Sequence, residues 1–227
     1  EDFPMLNQDY IYFDNGATTF KPNKVIQSVV DYYTKYTANS HRGDYDLSQK
    51  VDYLYESTRD VVKNFIKANN SKEIIFTSGT TMSLNMIVFG FMKYFLKPGD
   101  EVLITKAEHA SNVLPWLELE KEIGIVVKYI PLDDNHKVTI ENVKNSITKN
   151  TKVISLAYVT NVIGDVRPIK EIASLIHANN GLIVVDGAQS VPHIKTDVAY
   201  DDIDFLAFSG HKMLAPTGIG VLYAKEK

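Results

Sequence analysis

Polar side chains follow five apolar runs of the sequence, at the points where predicted strands end. In chain order these endings are Ser78-Gly79-Thr80-Thr81, Glu108-His109, Asn161, Asp186 with Gln189, and Ser209-Gly210-His211-Lys212. Such groups are costly to bury without a partner. Because ligands of open α/β sheets bind beyond the carboxyl ends of the strands, five such endings on one edge predict a site there.

Three of these endings have the properties that one kind of site needs. The run Ser78-Gly79-Thr80-Thr81 suits either a turn with a helix N-cap or a phosphate cradle of amides and hydroxyls. Asp186 follows four apolar residues, and a buried carboxylate there needs a cationic or donor partner. Lys212 directly follows a buried strand, where its pKa is readily lowered.

A phosphate cradle, a buried acid and a buried lysine together match the requirements of pyridoxal phosphate (PLP). The lysine forms an imine with the cofactor, and the acid keeps the pyridine nitrogen protonated so that the ring accepts electrons. Taken singly, His109 is also typical of a structural histidine and Asn161 of a turn. Lys212 alone is also typical of a side chain that extends to solvent.

Short β-branched runs alternate with longer amphipathic stretches, which predicts a mostly parallel sheet flanked by helices. Strands that are apolar throughout, such as Leu182–Val185, indicate burial on both faces. The predicted strands are Ile11–Phe13, Glu73–Thr77, Glu101–Thr105, Ile125–Ile130, Lys152–Tyr158, Leu182–Val185, Asp204–Phe208 and Gly220–Tyr223. The predicted helices are Lys24–Tyr36, Ser48–Lys67, Thr81–Phe95, Ser111–Glu122, Thr139–Ser146 and Ile169–Ala178, the last with Gly181 as its stop. No internal repeat or linker is evident, so we predict one domain over residues 1–227.

Composition excludes several function classes. The 227 residues are 44% hydrophobic and 23% charged with a net charge of -4, which gives no reason to expect nucleic acid or an anionic membrane as a partner. No apolar run approaches the roughly 20 residues of a membrane span, so we expect a cytoplasmic protein. The sequence has no cysteine, which excludes disulfides, thiolate metal sites and a thiol nucleophile within this chain, and we predict no metal site.

The motifs in combination closely resemble those of the class V (NifS-like) aminotransferase-fold enzymes, and within them the SUF-type cysteine desulfurases. The segments that carry the resemblance are Asp2-Phe3-Pro4, Tyr12-Phe13-Asp14-Asn15-Gly16-Ala17-Thr18-Thr19, His41-Arg42-Gly43, Gly79-Thr80-Thr81, Glu108-His109-Ala110-Ser111-Asn112, Val184-Val185-Asp186-Gly187-Ala188-Gln189-Ser190, Phe208-Ser209-Gly210-His211-Lys212 and Pro216-Thr217-Gly218-Ile219-Gly220. The resemblance covers essentially the whole chain. It implies the large domain of PLP-dependent transferase fold type I, preceded by an N-terminal segment 1–20, with the C-terminal small domain absent.

The resemblance also implies a role for each matching residue. Lys212 would bind PLP covalently and Asp186 its pyridine nitrogen, while His109 would stack on the ring and assist proton transfer. Gln189 and Asn161 would contact the phenolic oxygen and the substrate side of the cofactor. The phosphate would be held by Thr80, Thr81, Ser209 and His211. Arg42 would lie near the mouth of the site at the interface of a homodimer.

The reaction that the resemblance implies is the conversion of L-cysteine to L-alanine. The sulfur would leave as a persulfide for iron–sulfur cluster assembly, by way of a sulfur-acceptor protein of the SUF pathway. The persulfide cysteine and the arginine that grips the substrate carboxylate are both missing, since Arg42, Arg59 and Arg167 match no such position. We therefore expect a fragment that cannot complete desulfuration alone. Two alternatives stay open: a selenocysteine lyase, kynureninase-like hydrolase or other class V enzyme, and a non-catalytic PLP-binding or dimer-forming fragment.

Overall fold

A seven-stranded sheet runs through the chain. The computed structural model describes residues 2–9 and 11–226; Glu1, Tyr10 and Lys227, which the predicted domain 1–227 includes, lie outside the described residues. The strands are β1 (Ile74–Thr77), β2 (Glu101–Ile104), β3 (Val126–Tyr129), β4 (Thr151–Ala157), β5 (Leu182–Asp186), β6 (Phe205–Ser209) and β7 (Gly220–Ala224). Their order across the sheet is β1-β7-β6-β5-β4-β2-β3.

Six of these strands run in the same direction. Neighbours from β6 to β3 are parallel, whereas β7 is antiparallel both to β6 and to β1. Because β7 is antiparallel to both of its neighbours, β1 and β6, these two strands run in the same direction. β1 is therefore parallel to β2, β3, β4, β5 and β6. The carboxyl ends of β1 to β6 therefore meet at one edge, and the predicted mostly parallel sheet is confirmed.

Helices cover both faces of the sheet. They are α1 (Asn23–Lys35), α2 (Asp46–Ile66), α3 (Thr80–Asn85), α4 (Lys93–Phe95), α5 (Leu114–Ile123), α6 (Ile140–Ser146), α7 (Ile169–Ala178) and α8 (Ser190–His193). Short 3₁₀ turns occur at Pro4–Asn7, Ser71–Glu73, Ala110–Asn112 and Gly210–Lys212. A π-helical segment, Met86–Met92, joins α3 to α4, so the helix predicted at Thr81–Phe95 is present but is wound more widely at its centre.

Strand β5 shows why the core has two halves. Alternate side chains of a strand point to opposite faces. Ile183 and Val185 accordingly join the cluster beneath α2, α6 and α7, whereas Leu182 and Val184 join the cluster beneath α3 and α5. All four are at most 4% exposed, which confirms the burial on both faces predicted for this run.

Two local predictions were wrong. Ile11–Phe13 forms no strand. The side chains of Ile11 and Phe13 are 83% and 93% exposed, so these apolar residues lie on the surface and not in the sheet. After α7, the residue in the left-handed conformation is Asn180, with φ 56°, and not the predicted Gly181. Gly181 is needed for space, because a Cβ there would lie 2.5 Å from Ile176 Cδ1 and 2.8 Å from the Lys152 carbonyl.

The helix predicted at Ser111–Glu122 also begins later than expected. A 3₁₀ turn occupies Ala110–Asn112, and α5 starts at Leu114 with Pro115 in its first turn, a position that suits proline. In residues 2–9 and 11–226, no helix is both long and apolar enough to cross a lipid bilayer. The description of residues 1–227 as one domain stays a prediction.

Candidate active site

A cavity of about 510 Å³ opens at the edge where the parallel strands end. Its lining comes from the start of α3, from the ends of β4, β5 and β6 with the loops that follow them, and from the loop after β2, together with part of the N-terminal segment. The lining residues are Asp14, Gly16, Ala17, Thr80, Thr81, His109, Ser111, Ala157, Val159, Asn161, Asp186, Ala188, Gln189, Ser209, His211 and Lys212. The five polar strand endings therefore converge, as the sequence predicts.

Hydroxyl groups and a helix start form one end of the cavity. Gly79, with φ 155°, precedes α3, and the Thr80 amide donates to Ser209 Oγ at 2.7 Å. The hydroxyls of Thr80 and Ser209 are also 2.7 Å apart. A Cβ on Gly220 would lie 2.4 Å from the Gly79 Cα, so only glycine allows this close approach of β7 to the turn. Amides at a helix start with neighbouring hydroxyls suit a phosphate or another anion.

Asp186 closes the inner wall of the cavity at the end of β5. The residue is 4% exposed, and one carboxylate oxygen accepts from the Ala188 amide at 2.9 Å. Among the described residues the other oxygen has no hydrogen-bond donor. Burial raises the pKa of Asp186; the charge of Glu108 raises it further, whereas the Ala188 amide, Lys212 and His109 lower it. A cationic or donor group in the cavity would supply the missing partner.

Lys212 approaches the cavity from the 3₁₀ turn that follows β6. Its ammonium makes no hydrogen bond or ion pair within the part of the chain that the structure describes. Burial lowers the pKa of Lys212, and the negative charge of Asp186 opposes that shift. A partly buried lysine whose pKa is lowered has more of the neutral amine, which is the nucleophilic form.

His109 is held by the turn that it begins. Its Nδ1 accepts from the Ser111 amide at 3.2 Å and lies 3.0 Å from Ser111 Oγ, which in turn lies 2.8 Å from Thr81 Oγ1. The imidazole orientation is therefore tied to the same helix start that forms the anion cradle. Sequence reasoning gave Ser111 no role, although it stands inside the quoted segment Glu108–Asn112.

The N-terminal segment forms one wall of the cavity through Asp14, Gly16 and Ala17. Gln189 Nε2 donates to the Gly16 carbonyl at 2.8 Å. Sequence reasoning predicted neither this contact nor a role for the three wall residues, because nothing in a single sequence shows which surface a terminal segment packs against.

A second attachment of the N-terminal segment lies behind Lys212. The His211 carbonyl accepts from Lys21 Nζ at 2.9 Å, the Thr19 amide at 3.0 Å and the Thr18 hydroxyl at 3.1 Å. That carbonyl belongs to the peptide bond that leads into Lys212. Burial, followed by the charges of Lys212 and Lys21, lowers the pKa of the His211 ring.

Nine of the ten predicted site residues line this cavity: Thr80, Thr81, His109, Asn161, Asp186, Gln189, Ser209, His211 and Lys212. Arg42 does not; it is exposed between α1 and α2, and its interface role stays a prediction. Neither of the other arginines is available to a ligand in the cavity. Arg59 binds Glu56 and the Ile74 carbonyl, and Arg167 is buried.

Comparisons with known proteins point to one family. Residues 11–227 match the family described as aminotransferase class-V. A probable cysteine desulfurase of Halalkalibacterium halodurans is 43% identical over 229 residues, which cover 99% of this chain and 56% of that protein. The apo structure of a cysteine desulfurase from Thermococcus onnurineus superimposes with a TM-score of 0.94 at 39% identity, over 99% of this chain and 56% of that one.

A more distant structure, titled SspA in complex with cysteine, has a TM-score of 0.87 at 28% identity, over 95% of this chain and 61% of that one. The chain thus spans about half the length of the curated relatives it matches. The sheet and its flanking helices have the PLP-dependent fold type I of these cysteine desulfurases.

Proposed function

The chain belongs to the class-V aminotransferase family, and from this premise we propose that it is the PLP-binding part of a cysteine desulfurase. The reaction would convert L-cysteine to L-alanine and pass the sulfur on as a persulfide. The observation that carries the proposal is the convergence on one cavity of a lysine that has no hydrogen-bond partner among the described residues, a buried acid and a hydroxyl-lined helix start. The names of the relatives support the choice of reaction.

The residues of the cavity fit PLP. Within residues 2–9 and 11–226 one oxygen of Asp186 has no donor, and its pKa is raised, so a protonated pyridine nitrogen is the partner that would satisfy it. Thr80, Thr81, Ser209 and His211 would hold the phosphate. His109 would cover the ring face, and Gln189 and Asn161 would contact the phenolic oxygen. When bound, PLP supplies an electron sink that stabilises negative charge at the substrate α-carbon.

The chain's own groups then account for proton movement. The Lys212 amine, whose pKa is lowered by burial, is neutral in a larger fraction of molecules than an ordinary lysine, and the neutral amine would be able to accept a proton from the substrate α-carbon. His109 is the second group able to carry a proton in the cavity. Its Nδ1 is occupied by the Ser111 amide, so the opposite ring nitrogen, Nε2, is the one that would face a proton donor or acceptor.

The thiol that receives sulfur must come from outside residues 1–227, because these residues contain no cysteine. The same holds for a carboxylate-binding arginine, since Arg42 lies outside the cavity lining and Arg59 and Arg167 are already engaged by other groups. We therefore expect the 227-residue chain to be incapable of releasing alanine and persulfide from cysteine. Turnover by these residues alone would contradict that expectation.

The proposal also includes a homodimer that works in the cytoplasm and delivers sulfur to an acceptor protein for iron–sulfur cluster assembly. Exposed apolar side chains near the N-terminus support the dimer: Phe13 is 93% exposed, Tyr33 71%, Tyr53 72% and Val61 65%. Exposed apolar side chains that form one patch mark an interaction site, and we propose that these four residues belong to such a patch. Light scattering of the full-length protein tests the dimer, and a mass of one chain would contradict it.

Absorption spectroscopy tests the cofactor. After addition of PLP, the protein should show the visible band of a lysine-bound cofactor, and Lys212→Ala should abolish it. Lys106→Ala is the matched control, because Lys106 follows β2 at the same edge but is exposed and lies outside the cavity lining. No band in the parent protein would overturn PLP binding and leave a scaffold role. An equal band in Lys212→Ala would overturn the assignment of the lysine.

Alanine and sulfide assays with full-length protein test the reaction. Cysteine should be consumed to give equal amounts of alanine and transferred sulfur, and Lys212→Ala should reduce the rate to background. A protein that binds PLP but prefers selenocysteine, or releases a product other than alanine, would belong to another class-V activity.

A further inference from the structure

A fully buried ion pair lies beneath the cavity, between the loops that follow β2 and β4. It joins Glu108 and Arg167, whose side chains are 0% and 1% exposed. Neither residue lines the cofactor cavity. We propose that Glu108 and Arg167 are positioning residues that fix His109 and Asn161 in the wall of the cavity that would hold PLP. This inference rests on the proposed function.

Glu108 connects the two strand ends through both of its carboxylate oxygens. Oε1 accepts from the Thr105 hydroxyl at 2.6 Å, at the end of β2. Oε2 accepts from the Ala157 amide at 2.6 Å, at the end of β4, and from Asn112 Nδ2 at 3.0 Å. A carboxylate with this set of donors holds the two loops at a fixed separation.

Arg167 completes the same connection from the other side. Its Nη1 binds Glu108 and lies 3.2 Å from the Ala157 carbonyl, and its Nη2 donates to the Thr105 hydroxyl at 3.0 Å. Its backbone amide donates to the Tyr158 carbonyl at 2.9 Å. The guanidinium therefore touches the end of β2 and the end of β4 at once.

The contacts reach the cavity through neighbours in the chain. His109 is the residue after Glu108, so the carboxylate fixes the start of the turn that orients the imidazole. Asn161 lies in the loop Tyr158–Arg167, which is closed at its base by a bridge between Val159 and Val166. Arg167 ends that loop and anchors it under β4. A change in the pair therefore moves both residues relative to Asp186.

The charges support the same role. The charges of Glu108, Lys212 and His109 act on Asp186; burial raises the pKa of Asp186, and the charge of Glu108 raises it further. Arg167 is the cation in contact with Glu108, and it keeps that negative charge compensated in a buried place. Removing Arg167 alone leaves an uncompensated buried carboxylate, whereas removing both charges does not.

The experiment uses full-length protein and a cycle of three variants: Glu108→Gln, Arg167→Met and the double variant. Arg167→Met alone is expected to fold poorly, so the double variant carries the test because it retains volume and removes both charges. The matched control is Glu101→Gln with Lys128→Met, an ion pair at the opposite end of β2 with 2.5 Å between Lys128 Nζ and Glu101 Oε1.

Three measurements are made on the folded double variants. PLP affinity is expected to fall about tenfold or more, as it does when outer contacts that orient a ligand-binding group are lost. The visible circular dichroism of bound PLP, which reports how rigidly the ring is held, is expected to weaken. In the cofactor-free protein, amide exchange should accelerate in residues 109–112 and 158–167. The control pair should leave all three unchanged.

Wild-type affinity, dichroism and exchange in the Glu108→Gln, Arg167→Met double variant would overturn the inference. Equal effects from the control pair would also overturn it, because they would show a general loss of stability. Failure of the proposed function gives a different result, since the parent protein would then show no lysine-bound band at all.

Discussion

Two acidic groups at opposite edges of the sheet, Glu73 and Asp186, are buried in opposite ways. At the edge where the parallel strands begin, Glu73 accepts from the amides of Asn69, Asn70 and Glu226 at 2.9, 3.0 and 3.0 Å. At the edge where they end, Asp186 accepts from one amide, and Lys212 has no hydrogen-bond partner among the described residues.

Glu101 and Asp204 extend the contrast at the first edge. Glu101 accepts from Lys128, Thr148 and Thr151, and Asp204 accepts from His177 and the Ile183 amide. Buried polar groups of folded proteins are normally paired in this way. Asp186 and Lys212 at the other edge depart from this pattern; under the proposed function their partners belong to the cofactor, and the chain gives up stability there. In this comparison Glu73, Glu101 and Asp204 serve stability, whereas Asp186 and Lys212 would serve binding.

The largest expected loss of stability comes from Glu73, at the edge where the parallel strands begin. Glu73→Gln should lower the free energy of unfolding by about 3 kcal/mol, because three amides lose a charged acceptor and one meets an amide NH₂ group. PLP affinity should not change. Urea unfolding of the cofactor-free protein measures the loss. Glu118→Gln, at a side chain that is 62% exposed, is the control and should shift stability by less than about 0.5 kcal/mol.

A substitution of Asp186 is expected to change the free energy of unfolding in the opposite direction. Asp186→Asn should raise the free energy of unfolding of the cofactor-free protein by about 1–2 kcal/mol at neutral pH, since it removes a buried charge that has one hydrogen bond. The same change should weaken PLP binding at least about tenfold, because the pyridine nitrogen loses its charged partner. A cofactor-free variant less stable than the parent would show that the acid is structural and would break the comparison.

Acid titration sharpens the contrast. The pKa of Asp186 is raised, so its contribution to stability is complete below the unfolded pKa of about 3.9 and is lost as pH rises through the folded value. At Glu101 burial raises the pKa, but Lys128, Thr148 and Thr151 outweigh it and lower the pKa. Its contribution is present above the unfolded pKa of about 4.3 and is lost as pH falls through the folded value.

Relative to the parent, Asp186→Asn should therefore stabilise at neutral pH and Glu101→Gln should destabilise. Both differences should shrink toward zero on acidification. Unfolding midpoints between about pH 3 and pH 7 measure the two curves. Differences of the same sign at neutral pH would contradict the contrast between the edges.

The smallest effect concerns the contacts of Lys21, Thr19 and Thr18 with the His211 carbonyl, which together form a clamp behind Lys212. Lys21→Met should cost about 1 kcal/mol, because the partly buried ammonium donates to the His211 carbonyl at 2.9 Å and to the Thr19 carbonyl at 2.6 Å. Proteolytic cleavage of the N-terminal segment should accelerate, which limited digestion measures. Lys24→Met, at an exposed position on α1, should leave both unchanged. An unaltered digestion pattern in Lys21→Met would show that the clamp does not hold the segment.

Much of the sheet could be predicted from the sequence, because its signals are local. Leu182–Val185 is continuously apolar, as a strand buried on both faces must be, and Ile169–Ala178 was predicted with the bounds of α7. The convergence of the polar endings followed from strand direction alone. The direction of β7 did not, since antiparallel placement depends on which strands become neighbours.

The predictions from the sequence fail where contacts between distant parts of the chain determine the local structure. Ile11–Phe13 has the composition of a strand but no strand beside it. The spacing that makes Gly181 necessary comes from the carbonyl of Lys152 on another strand. The Glu108 and Arg167 pair joins residues 59 positions apart, so neither residue identifies the other in the sequence.

The placement of β7 between β1 and β6 also bears on how the site comes into existence. β1 pairs with β7 through Ile74 and Tyr223, and the Thr80 amide meets a hydroxyl 129 residues away. Contacts of such large separation form late in folding, because a long loop must close first. During synthesis the anion cradle cannot exist until nearly all of these residues have left the ribosome. Under the proposed function, PLP would therefore be captured by a nearly completed sheet and would not act as a template for the early one.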